Sequence, residues 1–267
     1  MNTVSDKHRN VAAAVRLVRE AASRGAEWIM LPEMFPYMGK YKEIFSQSEE
    51  EGGPLHQTLS KLARELNIIL FAGSMGERPS GGGPGDKIYN TQYVFGRDGK
   101  QLAKYRKTHL FNLLDDQGKS VYCESNGYIP GDRLVSVDIE GYHVALVTCY
   151  DLRFPEMFAK FHKLSGAIDV IAAPSAFTYQ TGQHHWEVLL RARAIENLSF
   201  VFAANQTGEH IVGKRSYGHS MIVDPWGEVL ANTGDAEGIA MAPMSLKRIK
   251  EYRQRLPVLV NRRPELY

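Results

Sequence analysis

Cys149 closes the apolar run Tyr142-His143-Val144-Ala145-Leu146-Val147-Thr148 and precedes Tyr150-Asp151-Leu152-Arg153-Phe154-Pro155-Glu156. A thiol therefore sits where a buried strand gives way to a helical stretch. In α/β proteins ligands gather at such strand ends, and the free amides there hold negative charge. The placement suits a nucleophile; a buried cysteine acting as a small hydrophobe is the competing reading. Two other strand ends carry complementary groups. Leu31-Pro32-Glu33 supplies a carboxylate, and Tyr105-Arg106-Lys107-Thr108-His109-Leu110-Phe111 supplies an amine. Singly, each is an ordinary solvated charge. Together, the three residues provide a nucleophile, a proton carrier and a cation for developing negative charge.

The elements that must position them follow from periodicity. Val11, Ala14, Val15, Val18, Ala21 and Ala22 recur at helical spacing before Gly25, which predicts a helix over 11–22. Trp28 to Leu31 reads as a short buried strand ended by Pro32, whose missing amide cannot continue a ladder. A helix is expected over 54–66 and strands over 68–72, 88–95 and 102–106, with a turn-rich excursion at Arg78 to Asp86. Further strands are expected over 134–139, 144–148, 170–173, 200–204, 220–223 and 239–241, interspersed with helices over 155–163, 185–197 and 246–255. Helices mixed with continuous apolar strands imply an α/β fold with helices covering sheet faces. Without repeats or a composition break, 1–267 reads as a single domain.

Composition narrows the function classes. The 267 residues are 43% hydrophobic and 23% charged, which is compatible with a large core and not with disorder. A net charge of +2 gives no field for nucleic acid or anionic membrane. Two cysteines form neither a disulfide framework nor a metal-binding pair. The opening residues lack the pattern of a signal peptide, and no apolar run is long enough for a membrane span, so a cytoplasmic location is expected.

Several motifs fail on context. Gly81 to Gly85 follows no clear strand and opens no helix, as a phosphate loop must. Gly118-Lys119-Ser120 lacks the first glycine of a nucleotide loop, because Leu113 occupies its place. Gly218-His219-Ser220-Met221-Ile222 lacks the last glycine of a nucleophile elbow. His184, His185 and Glu187 have no metal-ligand spacing, so no metal is expected.

Three segments, LPEMF around Glu33, YRKTHLF around Lys107 and CYDLRFPE from Cys149, resemble the signature segments of the nitrilase-like carbon-nitrogen hydrolase superfamily, in the same order. The resemblance extends through YCESN at Tyr122 to Asn126, HWEVLLRARAIEN from His185, YGHSMIVDPWGEVL from Tyr217 and the ending RRPELY. It is closest to the branch of deaminated-glutathione amidases and omega-amidases. What it implies is a four-layer α-β-β-α sandwich, a catalytic Glu33, Lys107 and Cys149, a supporting Glu124 beside the lysine, and no cofactor. Family members usually begin with a strand ahead of the first helix, whereas this chain enters that helix almost at once. A sheet lacking its first strand, with unpaired backbone groups beside the gap, is therefore expected. Gln183-His184 replaces the Pro-Ala usual in relatives, a difference that bears on selectivity.

The implied chemistry is amide hydrolysis through a thioester. Glu33 takes the Cys149 proton, while Lys107 and the Tyr150 amide hold the oxyanion. From position and family pattern, Ser175, Phe177 and His185 are expected to line the substrate pocket. Arg153 and Glu156 read as an ion pair that fixes the turn. The expected substrate is a small linear carboxylate-bearing amide, foremost deaminated glutathione, yielding a 2-oxo acid and cysteinylglycine. Omega-amidase action on 2-oxoglutaramate, N-carbamoyl amide hydrolysis and nitrilase action share the same triad. A catalytically silent, self-associating scaffold is the non-enzyme alternative. A homodimer is expected, with Phe154 to Phe161 and Leu256 to Tyr267 contributing.

Overall fold

A computed structural model describes residues 1–82 and 84–266; Gly83 of the glycine-rich turn and Tyr267 of the C-terminal segment lie outside the described residues. Helix α1 spans Lys7–Ser23, capped by the Asp6 side chain accepting from the Arg9 amide. Strand β1 is Trp28–Met30, α2 is Tyr41–Gln47, α3 is Pro54–Leu66, and β2 to β5 are Ile69–Phe71, Met75–Glu77, Tyr89–Phe95 and Gln101–Arg106. Together β1 to β5 make the first sheet. β1 lies parallel to β2; β2 and β3 pair antiparallel with opposite halves of one edge of β4, and β5 pairs with β4 as well.

A hairpin of β6 (Asn112–Leu114) and β7 (Ser120–Cys123) follows. The second sheet comprises β8 (Val135–Ile139), β9 (Tyr142–Leu146), β10 (Val170–Ala172), β11 (Phe200–Ala203), β14 (Met221–Val223) and β15 (Val229–Asn232). Its three central strands, β9, β10 and β11, run parallel. Between these elements lie α4 (Pro155–Ser165), α5 (Tyr179–Asn197) and the hairpin of β12 (Thr207–Ile211) and β13 (Lys214–Tyr217); α6 (Leu246–Arg255) follows β15.

Strand alternation assembles four layers, α-β-β-α, because successive residues face opposite sides of a sheet. Leu70, Tyr93 and Phe95 join Ala14, Val18, Leu59 and Leu62 of α1 and α3 in one core. Ile69, Phe71 and Val94, one position out of step, join Val144 and Leu146 of the second sheet in another. The latter core continues to Met157, Phe158 and Phe161 of α4 and Trp186 and Leu190 of α5. Those three α4 residues are turned into the chain's own core, whereas Glu156 and Lys160 of the same helix, and Leu256, Val260 and Leu266, are exposed.

The expected gap lies at β1. Ile69 donates to the Glu27 carbonyl and Leu31 to the Phe71 carbonyl, so by alternation the backbone groups of Trp28 and Met30 point away from β2. That side opens on a cavity of about 660 Å³ also lined by Phe202, Met221 and Ile239 to Met244. Residues 239–241 form no strand, contrary to expectation: they face β1 across the cavity and have no ladder partner there. No described helix is long and apolar enough to cross a membrane.

Candidate active site

The ends of β1, β5, β9 and β10 converge. Past β9, the Cys149 amide donates to the Pro174 carbonyl at 3.1 Å, and past β1 the Glu33 amide donates to the Ser175 carbonyl at 3.4 Å. The segment after β10 thus lies between carboxylate and thiol. Past β5, the Lys107 amide donates to the Asn90 carbonyl at 2.9 Å. Glu124 opens a single 3-10 turn after β7; its amide donates to the Phe111 carbonyl, and its Oε2 accepts from the Phe111 amide at 2.7 Å.

Lys107 is the centre of charge. Its Nζ donates at 2.9 Å to Glu33 Oε1 and to both Glu124 oxygens, and all three side chains are at least nine-tenths buried. Burial opposes the ammonium charge, but Glu124 and Glu33 outweigh it and hold the Lys107 pKa well above the ordinary lysine value. Burial, together with the charge of Glu33, raises Glu124 above the usual carboxylate value despite Lys107. Asn90 Nδ2 donates to Glu33 Oε1 at 2.8 Å, and Gln206 Nε2 donates to the Glu33 carbonyl at 3.0 Å. The carboxylate is therefore held from its head and from its backbone.

Cys149 begins a 3-10 turn over Cys149–Arg153 and adopts φ +50°, the left-handed region that a side-chain-bearing residue rarely occupies. Burial, reinforced by Glu33, pushes its thiol pKa well up, while Lys107 and the Ala176 amide pull the other way. A thiol raised in this way would act as a nucleophile only with a base to take its proton.

Asp151, fully buried in the same turn, ties the thiol to the lysine. It accepts from Tyr105 Oη at 2.7 Å, the Thr148 amide at 2.8 Å and the His109 amide at 3.1 Å, and lies 2.7 Å from His109 Nδ1. Neither Asp151 nor Asn90 stands out in the sequence as a site residue. Asn90, Thr91 and Gln92 are consecutive buried polar residues in a strand that is otherwise mostly apolar, and the first two have charged partners: Asn90 donates to Glu33 and Thr91 to Glu77 at 2.6 Å.

The expected lining residues divide. The Tyr150 ring is half-buried, 5.1 Å from Phe111 and 5.3 Å from Phe154. Phe177 is buried against Trp186 at 4.9 Å. Ser175 is fully buried with its hydroxyl donating to the Ala173 carbonyl, so its own carbonyl is what meets Glu33. His185 is exposed, its Nδ1 3.2 Å from Arg153 Nη1. Arg153 makes no ion pair with Glu156 or any other described carboxylate. It lies 5.2 Å from the Phe177 ring centroid and 5.8 Å from that of Tyr150. The expected turn-fixing pair is absent because aromatic faces and His185 take the guanidinium instead.

The family model for carbon-nitrogen hydrolases matches residues 1–254, and the chain belongs to that family: it is a hydrolase acting on carbon-nitrogen bonds. It is 41% identical over 269 residues to deaminated glutathione amidase of Homo sapiens, covering all of this chain and 81% of that protein. It is also 41% identical over 265 residues to the omega-amidase NIT2 of Homo sapiens, covering 98% and 92% respectively. Among solved structures it resembles the NitFhit protein of C. elegans, with TM-score 0.89 and 36% identity over all of this chain and 64% of that one. The chain thus spans under two thirds of the length of that protein.

Proposed function

We propose that the protein is a cysteine-dependent amidase that cleaves a small, linear, carboxylate-bearing amide through a thioester. The observation that carries this reading is the Lys107 ammonium, buried between Glu33 and Glu124 beside the strand end that presents Cys149. As Sγ attacks the amide carbon, Glu33 accepts the thiol proton, a step contributing roughly 10² to 10⁴-fold. Lys107 and the Tyr150 amide, at the start of a turn whose leading amides lack partners within it, hold the oxyanion. The tetrahedral species collapses by breaking its C–N bond, and Glu33 returns the proton to the leaving nitrogen. Water then adds to the thioester with Glu33 as base, and breaking the C–S bond yields a carboxylic acid and restores the thiol. Glu124 keeps Lys107 charged and aimed.

Arg153 supports a carboxylate on the acyl part of the substrate, because its guanidinium stands on the nucleophile turn without an acidic partner among the described residues. His185 steadies it, and Phe177 and Tyr150 present flat apolar faces to the chain between carboxylate and amide. Deaminated glutathione, cleaved to a 2-oxo acid and cysteinylglycine, is the preferred substrate. Omega-amidase action on 2-oxoglutaramate is the second reading, favoured by the equal identity to both human enzymes. We place the enzyme in the cytoplasm as a homodimer, with the exposed Leu256, Val260 and Leu266 at the contact. The test is product release from deaminated glutathione, 2-oxoglutaramate, an N-carbamoyl amino acid and a simple nitrile. The expected result is the highest kcat/KM for deaminated glutathione with 2-oxoglutaramate second. Preferred turnover of the carbamoyl compound with carbon dioxide release would overturn it.

A further inference from the structure

The β12–β13 hairpin carries a cation that, like Arg153, has no acidic partner among the described residues. Its backbone is stitched to the Phe177 segment by the Tyr217 amide donating to the Phe177 carbonyl at 3.0 Å and by a bridge between Thr178 and Ser216. From this hairpin the half-buried Lys214 places Nζ 5.3 Å from the Tyr41 ring centroid and 5.0 Å from that of Tyr122. It makes no hydrogen bond or ion pair among the described residues. Arg215, pointing to the other side of the strand, lies over Tyr179 instead.

The two tyrosines begin an aromatic wall. Tyr41 and Tyr122 are 5.9 Å apart, Tyr122 and Phe111 5.4 Å, and Phe111 and Tyr150 5.1 Å, after which Arg153 lies over the Tyr150 ring. The reacting groups stand along this wall: Glu124 is bonded to the Phe111 amide, and Cys149 immediately precedes Tyr150. Tyr41 stands close to the charged cluster: its ring lies 6.4 Å from that of Tyr128, whose amide donates to the Glu124 carbonyl at 2.9 Å. Cations without counter-ions therefore end an apolar wall on both sides of the nucleophile. A ring face holds an ammonium without neutralising it, so Lys214 retains its attraction for an anion.

We propose that Lys214 is the anchor for a second carboxylate, on the amine side of the scissile bond, and determines specificity for a substrate with an acid at each end. Resting on the amidase reading, this narrows the substrate from any carboxylate-bearing amide to one whose leaving amine is a short peptide with a free C-terminus. Arg153, on the turn of Cys149, takes the acyl-side carboxylate; Lys214 takes the other, and Tyr41 and Tyr122 flank the leaving group. An extended substrate of three residue lengths spans about 10 Å, on the scale of two or three ring spacings along the wall.

The experiment uses binding, so that it is separable from turnover. Cys149→Ser protein is titrated calorimetrically with deaminated glutathione and with its C-terminal carboxamide, and again after adding Lys214→Gln. The expected result is roughly tenfold tighter binding of the acid than of the carboxamide, a preference lost with Lys214→Gln while carboxamide affinity stays within twofold. Equal binding of the two ligands before Lys214 is changed, survival of the preference after it, or no binding of either ligand overturns the assignment. Wild-type turnover of 2-oxoglutaramate, whose leaving group is ammonia, checks the amidase reading independently.

Discussion

Asp151, two residues past the thiol of Cys149, accepts a 2.7 Å hydrogen bond from the hydroxyl of Tyr105, two residues before the ammonium of Lys107. One buried carboxylate in the turn that follows β9 of the second sheet thus holds the strand end of the first. Asp151→Asn replaces one of two acceptor oxygens by an NH2 group, so that a donor faces either the donors of Tyr105 and Thr148 or that of His109. A loss of about 3 kcal/mol is expected, on the scale of a broken buried charged network. Urea unfolding measures the stability and steady-state kinetics the kcat, which is expected to fall with it. An unchanged unfolding midpoint would show that the two strand ends are held by other contacts.

Asn90 donates to the same Glu33 oxygen that Lys107 binds. Asn90→Ala leaves Lys107 as that oxygen's remaining described donor and frees the carboxylate to rotate away from the sulfur. A fall in kcat of about tenfold is expected, because a positioning loss acts on the reacting geometry, with KM within twofold. A rise in KM at constant kcat would assign Asn90 to substrate binding instead.

Glu124 gives the reaction a pH dependence with a definite sign. Burial raises its pKa above the usual 4.5, with Glu33 adding to the rise and Lys107 opposing it. The folded chain therefore holds this proton more tightly than the unfolded chain, and ionising Glu124 costs stability as pH rises from about 4.5 through the raised value. For activity the sense is opposite. Protonation on acidification removes one of the two charges facing Lys107, so the acid limb of kcat/KM is expected above pH 4.5. Glu124→Gln is expected to lower kcat by about 10² and to displace that limb, as pH profiles of both proteins would show. An unmoved limb would assign the titration elsewhere.

The parts of the site legible in the sequence are those at the ends of continuous apolar strands. Glu33 and Cys149 each follow such a run, whereas Lys107 follows the mixed strand QLAKYR and is legible through its YRKTHLF segment instead; the parallel register of β9 and β10 brings strand ends together without long-range information beyond burial. Helices α3 and α6 have the expected bounds because Pro54 and Ser245 mark their starts. What escaped depends on tertiary partners. Helix α2 is seven residues long with no side-chain cap, and the two hairpins are stabilised by what they lie against rather than by strong alternation. Residues 239–241 have strand-like composition but face a cavity. Proximity in sequence pairs Arg153 with Glu156; its neighbours in the fold, His185 and Phe177, are distant in the chain. Lys214 looks like an ordinary hairpin charge until Tyr41 and Tyr122, from two other elements, are placed beneath it.

The central claim is that Cys149 forms a covalent acyl intermediate, and intact-mass spectrometry during turnover of an amide substrate tests it most directly. The expected result is an added acyl mass that maps to Cys149, persists in Cys123→Ser and is lost in Cys149→Ala while that variant remains folded. An adduct on Cys123, or full turnover by Cys149→Ala, would contradict it.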